Sequence, residues 1–175
     1  MKTLLLLSTL FLTAINISAQ VLDTAWIKIY DYAQADFDLY AINGGTVTSD
    51  NHIVLIGCSE LDYAYGDVFA AKIRFNGDTV WTRTLGGMLT HEVSTSIVET
   101  SDSHLVVLCI VQFEGNFGRM RLYKMNLAGD IIWEKTYLSE VEYAYSYGIT
   151  ETSDSGLIIS GVCDYDIFIF KTKLK

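Results

Sequence analysis

The chain has 175 residues and a formal charge of −9, with 12 Lys and Arg against 21 Asp and Glu. Such an acidic chain is a poor partner for nucleic acid or anionic lipid, because both need clustered cations. Half of the residues are hydrophobic, yet no stretch reaches the about 20 consecutive apolar residues that a membrane-spanning helix needs.

The N-terminus has the three-part layout of a secretory leader. Met1-Lys2 gives a positive start, Thr3 to Ile17 is apolar apart from small hydroxyl residues and Asn16, and Ser18-Ala19 offers a small-residue cleavage site before Gln20. Residues 1–19 are therefore read as a signal peptide and 20–175 as an exported repeat domain, secreted, periplasmic or held at the cell surface. A retained interfacial anchor is the alternative. Losing Lys2 moves the formal charge from −9 to −10. Cys58, Cys109 and Cys163 are odd in number and hold different repeat positions, so at most one internal disulfide can form and buried free thiols are expected.

The rest of the chain repeats. Thr48-Ser49-Asp50-Asn51-His52 returns as Thr100-Ser101-Asp102-Ser103-His104 and as Thr152-Ser153-Asp154-Ser155-Gly156, at steps of 52 residues. Each copy leads into an apolar run beginning at Ile53, Leu105 or Leu157. Lys72 to Trp81, with Gly77-Asp78, is matched 52 residues on by Lys124 to Trp133, with Gly129-Asp130. The third unit keeps Lys171-Thr172-Lys173-Leu174 after a loop five residues shorter. Asp and Gly at these points are turn chemistry, and the runs between them are rich in Val, Ile, Tyr and Phe. Leu105 to Val111 is apolar throughout, which predicts a strand buried on both faces. The expected fold is all-β: a β-propeller-like array of three four-stranded antiparallel blades, with units at approximately 31–81, 82–133, and 134–175 plus 21–30.

The pattern Ser96-Ile97, Thr100, Asp102, Lys124, Gly129-Asp130, Trp133, preceded by Trp81 and Leu85-Gly86-Gly87, resembles the propeller repeats of secreted bacterial proteins of the delta-60 kind. The likeness spans essentially the whole mature chain and implies a fold and a compartment but no reaction. The chain departs from it where Asn51-His52, Ser103-His104 and Ser155-Gly156 replace the usual Gly-Gly, and in having three units where closed propellers have more. Trp26 to Tyr30 reads as a Trp-strand able to complete the last blade against Phe168 to Leu174, within one chain or exchanged in a homodimer. Trp81 and Trp133 share one repeat position and are expected between blades.

Tight turns are expected at one end of each blade and longer loops at the other. The candidate ligand face gathers Asp36, Asp38, Asp62, Tyr63, Tyr65, His91, Glu92, Phe117, Glu142, Tyr143, Tyr145, Asp164 and Tyr165. Aromatic rings among carboxylates suit a sugar ring or a cationic peptide. His52 and His104 recur at a turn and are read as tolerating a left-handed backbone there. His91 has no Cys or Ser partner at motif spacing and supports no triad, so no catalytic residue is assigned and no enzyme is expected. No cofactor is expected either. Calcium is the one ion that Asp36-Phe37-Asp38, Asp164-Tyr165-Asp166 and the Glu60 to Asp67 loop suggest, and none of them has the EF-hand spacing. The sequence thus points to an exported, non-catalytic binding module for a glycan, peptide or protein. A structural or assembly module, or a glycan-active enzyme, are the other readings.

Overall fold

A computed structural model of the chain describes residues 25–28, 38–60, 66–87, 90–113, 118–138 and 144–173, and side chains are described for all of these except 38–40, 60 and 113. The signal peptide reading falls outside them. Among the described residues every regular element is a strand, and no helix is long and apolar enough to cross a membrane.

The strands form three antiparallel meanders. The first sheet holds β1 (Asp38–Thr48), β2 (His52–Glu60), β3 (Val68–Arg74) and β4 (Thr79–Leu85) in that order. The second holds β5 (Thr90–Thr100), β6 (His104–Phe113), β7 (Arg119–Asn126) and β8 (Ile131–Tyr137). The third holds β9 (Ala144–Glu151), β10 (Gly156–Cys163) and β11 (Asp166–Lys173), with β11 at its edge. One sheet is one sequence unit, and the register repeats with it. Lys72 lies opposite Trp81 as Lys124 lies opposite Trp133, and β1 and β5 are both bulged one turn before their Thr-Ser-Asp segments, at Ile42/Gly44 and Ser94/Ser96.

The sheets pack face to face in chain order. The front of the first (Val54, Ile56, Val68, Ala70) meets the rear of the second (Ile97, Leu105, Val107, Cys109, Tyr123, Met125). The front of the second (Val106, Leu108, Met120, Leu122) meets the rear of the third (Leu157, Ile159). The second sheet is covered on both sides, and every residue of β6 from Leu105 to Val111 is buried. Trp81 packs half-buried against the first junction and Trp133 against the second.

Three expectations need correction. Residues 25–28 lie outside any strand and do not close the third sheet; Trp26 Nε1 donates to Phe75 O at 2.8 Å and Lys28 Nζ meets Asp78 Oδ1 at 2.8 Å, which ties the segment to the β3–β4 turn instead. The left-handed residue of each Thr-Ser-Asp turn is Asn51, Ser103 or Ser155 (φ of 61°, 59° and 58°), so His52 and His104 already belong to the strands that follow. The reason is the turn's closure: Asn51 N donates to Thr48 O and Ser103 N to Thr100 O, which places the reversal one residue earlier. Finally, Asp164 and Tyr165 are not part of a long loop. They are the two central residues of a hairpin with φ of 45° and 72°, the combination that matches the twist of the flanking strands. Cys58 and Cys109 are buried and Cys163 is half-buried, and all three are free.

Candidate functional site

The two ends of the stack are built differently. At one end the Thr-Ser-Asp turns recur with the same bonds. Thr48 Oγ1 donates to Asp50 Oδ1 at 2.7 Å and Lys72 Nζ to Asp50 Oδ2 at 2.5 Å. Thr100 and Lys124 hold Asp102 in the same way at 2.5 and 2.6 Å, and Thr152 and Lys171 hold Asp154. Burial pushes the Asp50 carboxyl up, but Lys72 and Thr48 outweigh it and hold it at about 2. Lys124 with Thr100, and Lys171 with Thr152, hold Asp102 and Asp154 well below the usual carboxylate range. A second set of bonds clamps neighbouring sheets. Ser49 N and Oγ donate to the Glu99 carboxylate at 2.7 and 2.6 Å, and Ser101 N and Oγ to that of Glu151 at 2.8 and 2.9 Å. These carboxylates are spent on the scaffold.

At the other end the β2–β3 and β6–β7 loops and the links between sheets emerge together. Ser59 N donates to Asp67 O at 2.9 Å and closes the root of the first loop. Glu92 N donates to Gly66 O at 2.7 Å and Ala144 N to Gly118 O at 2.6 Å, so each sheet-to-sheet link is tied to the loop root of the sheet before it. Both bonds lie 52 residues apart in the repeat. Glycine is required at these roots: a Cβ on Gly66 would stand 2.1 Å from Ser59 O, and one on Gly118 would stand 2.5 Å from the Ile110 side chain.

Of the candidate ligand residues, Asp36, Asp62, Tyr63, Tyr65, Phe117, Glu142 and Tyr143 lie outside the described residues. Asp38 opens β1 opposite Glu60. His91 is half-buried on β5 with Nδ1 3.4 Å from Gln112 Oε1, Tyr145 is half-buried on β9, and Tyr165 is 90% exposed at the β10–β11 hairpin.

Glu92 is a correction. It is fully buried, because its position on β5 faces the rear of the second sheet rather than solvent. Arg121 Nη1 donates to its Oε1 at 2.6 Å, Tyr123 OH to its Oε2 at 2.7 Å and Thr90 Oγ1 to Oε1 at 3.2 Å. Arg121 is fixed in turn by Nε donating to Thr136 Oγ1 at 2.9 Å. Burial pushes the Glu92 carboxyl up, with Tyr123 and Arg121 pulling it back, and burial also pushes up the Tyr123 phenol and the neighbouring Cys109 thiol. A carboxylate so occupied holds the sheet together and offers no lone pair to a ligand. The sequence signal for it is faint: a charge on an inward strand position needs partners, and Arg121 and Tyr123, which supply them with Thr90, lie 29 and 31 residues on.

A cleft of about 410 Å³ lies at the second junction, lined among others by Lys124, Trp133, Lys135, Tyr137 and Phe170. Its place in the repeat explains it. At the first junction the same position is occupied by the 126–129 turn, held by Trp81 Nε1 donating to Leu127 O at 3.1 Å and Arg83 Nη2 donating to Ala128 O at 3.1 Å. Among the described residues no three or more His, Cys, Asp or Glu side chains come together as a metal set. Compared with known proteins, the chain matches no family model, and no curated protein matches it as a relative.

Proposed function

We propose that the chain is an exported, non-catalytic binding module of the delta-60-like kind, its three sheets acting as blades of a propeller-like array that carries a ligand site on its loop end. The observation that supports this most is the pair of bonds Glu92 N to Gly66 O and Ala144 N to Gly118 O, which tie the start of each new sheet to the loop root of the sheet before it. Variable loops on a rigid, repeating base make an adaptable binding surface. The sequence between strands supplies Tyr63, Tyr65 and Tyr143 among Asp62 and Glu142, and β9 adds the half-buried Tyr145, a set suited to stacking on a sugar ring and accepting its hydroxyls. The conspicuous acidic side chains on the sheets themselves, Asp50, Asp102 and Glu92, are consumed by internal partners, which leaves recognition to the loops.

The test is a glycan array probed with the mature chain, with a peptide array alongside. Retention on a defined set of glycans, weakened by Tyr145→Ala, supports the reading. Retention on neither array, or cleavage of any retained glycan, would contradict it.

A further inference from the structure

The two ends of the sheet stack present the same kinds of face that the interior buries. On the front of the third sheet, Ile167 and Ile169 are 83% and 75% exposed. Their counterparts by register are Val68 and Ala70 on β3 and Met120 and Leu122 on β7, all fully buried by the sheet that follows. Lysine reports the same difference: the side chain is 4% exposed at Lys72 and 11% at Lys124, but 45% at Lys171. On the rear of the first sheet, Ile42 and Val47 are 48% and 61% exposed. They stand where Ser94 and Glu99 of the second sheet face its predecessor, Ser94 through Gly57 O and Glu99 through Ser49.

The outer latch of a junction is also present at this rear end. Trp81 and Arg83 on β4 grip the next sheet's turn at Leu127 and Ala128. Trp26 and Lys28, with the same spacing, grip the first sheet's turn at Phe75 and Asp78. Residues 25–28 therefore stand on the first sheet as the fourth strand of a preceding sheet would.

We infer that the front of the third sheet docks on the rear of the first sheet of a second copy of this chain, covering Ile167 and Ile169 on the one face and Ile42 and Val47 on the other. In that arrangement Trp26 to Lys28 of the second copy fall beside β11 at the place where Trp81 to Arg83 lie beside β3. A second copy fits better than another partner because its exposed face and its Trp26 latch already have the form of a junction between sheets. The contact is heterologous, so it builds a ring or an open row. It lacks one internal feature: Val47 stands where Glu99 and Glu151 accept from Ser49 and Ser101, so Ser153 gains no carboxylate. The junction is accordingly weaker than the internal ones, and its population depends on concentration.

The experiment measures mass in solution across a concentration series for the mature chain, Ile169→Lys and Ile132→Lys. Ile132 is 50% exposed on the outer strand β8, away from both end faces, and serves as the control. The wild-type chain and Ile132→Lys should gain mass with concentration, while Ile169→Lys stays monomeric with an unchanged melting temperature. A wild-type chain that is monomeric at every concentration overturns the inference. Assembly that persists in Ile169→Lys overturns it as well, since contacts elsewhere would then be responsible. If Ile169→Lys lowers the melting temperature, Val47→Lys on the opposite face repeats the test.

Discussion

Trp81 and Leu127 are joined across the first sheet junction by an indole N–H donated to a backbone carbonyl at 3.1 Å, and Lys72 Nζ donates to the same carbonyl at 3.0 Å. One carbonyl at the tip of a turn thus receives both an aromatic and a cationic side chain from the preceding sheet. With Arg83 Nη2 on Ala128 O, three side chains rather than strand pairing hold the turn to the preceding sheet.

Trp81 is half-buried, so its truncation falls below the full cost of deleting a buried indole. Trp81→Ala should cost about 2–3 kcal/mol by denaturant unfolding, from lost packing plus one hydrogen bond. Trp81→Phe keeps most of the packing and should cost about 1 kcal/mol. Equal losses for the two would show that the ring's contacts contribute nothing.

The recurrent Asp–Lys pairs should differ in strength with the burial of the lysine. Asp50→Ala leaves the Lys72 ammonium, 4% exposed, without its carboxylate and should cost about 2–3 kcal/mol. Asp154→Ala should cost far less, because Lys171 is 45% exposed and water takes the place of the lost partner. Asp50 titrates at about 2 in the fold, below an ordinary value of 3.8. The stability it contributes is complete above about pH 4 and is lost as pH falls through about 2, with Asp102 and Asp154 acting in the same sense. Unfolding midpoints measured from pH 6 down to 2 should fall steeply at the acid end, and Asp50→Ala should flatten that fall.

Ser94 and Ser146 occupy the same strand position, yet only one has a partner. Ser94 Oγ donates to Gly57 O at 2.9 Å, whereas Ser146 Oγ is buried with no partner among the described residues. Ser94→Ala should cost about 1 kcal/mol, and Ser146→Ala should be neutral or stabilising. A clear loss at Ser146, read by thermal melting, would mean that its hydroxyl is bonded.

Glu92 works against the acidic turns in its pH dependence. Its pKa is raised, so the folded state holds the proton more tightly than the unfolded chain, and stability declines as pH rises from the ordinary 4.5 through the folded value. Glu92→Gln should remove that decline. It should also cost about 3 kcal/mol at neutral pH, because it leaves the Arg121 guanidinium buried without a counter-charge. The double variant Glu92→Gln with Arg121→Met should recover part of the loss.

What was legible in the sequence was local. Thr, Asp and the apolar run after them lie within a few residues, so turn and strand could be read together, and the 52-residue period fixed which segments are equivalent. The lysines that complete the turns are not legible as partners, because they come 22 residues later, or 17 in the third unit, on a strand one removed. Blade topology puts the link between successive sheets on the loop end, and His91 and Glu92 are expected there with it. In fact they sit within β5, and a partner 29 residues away satisfies Glu92. Strand order alone points Trp26 to the last sheet, but the indole bond to Phe75 depends on packing between sheets, which order along the chain does not encode.

The central claim is that each 52-residue unit forms one antiparallel sheet packed on the next, with the second sheet enclosed. Peptide-resolved hydrogen exchange on residues 20–175 tests it most directly, since protection follows backbone pairing and burial. Protection should repeat along the three units. It should be greatest in β6, high in β2, β3, β7 and β10, and lost at the turns around Asp50, Asp102 and Asp154. A β6 segment that exchanges as fast as those turns, or protection without the 52-residue repeat, would contradict the stacked-sheet architecture.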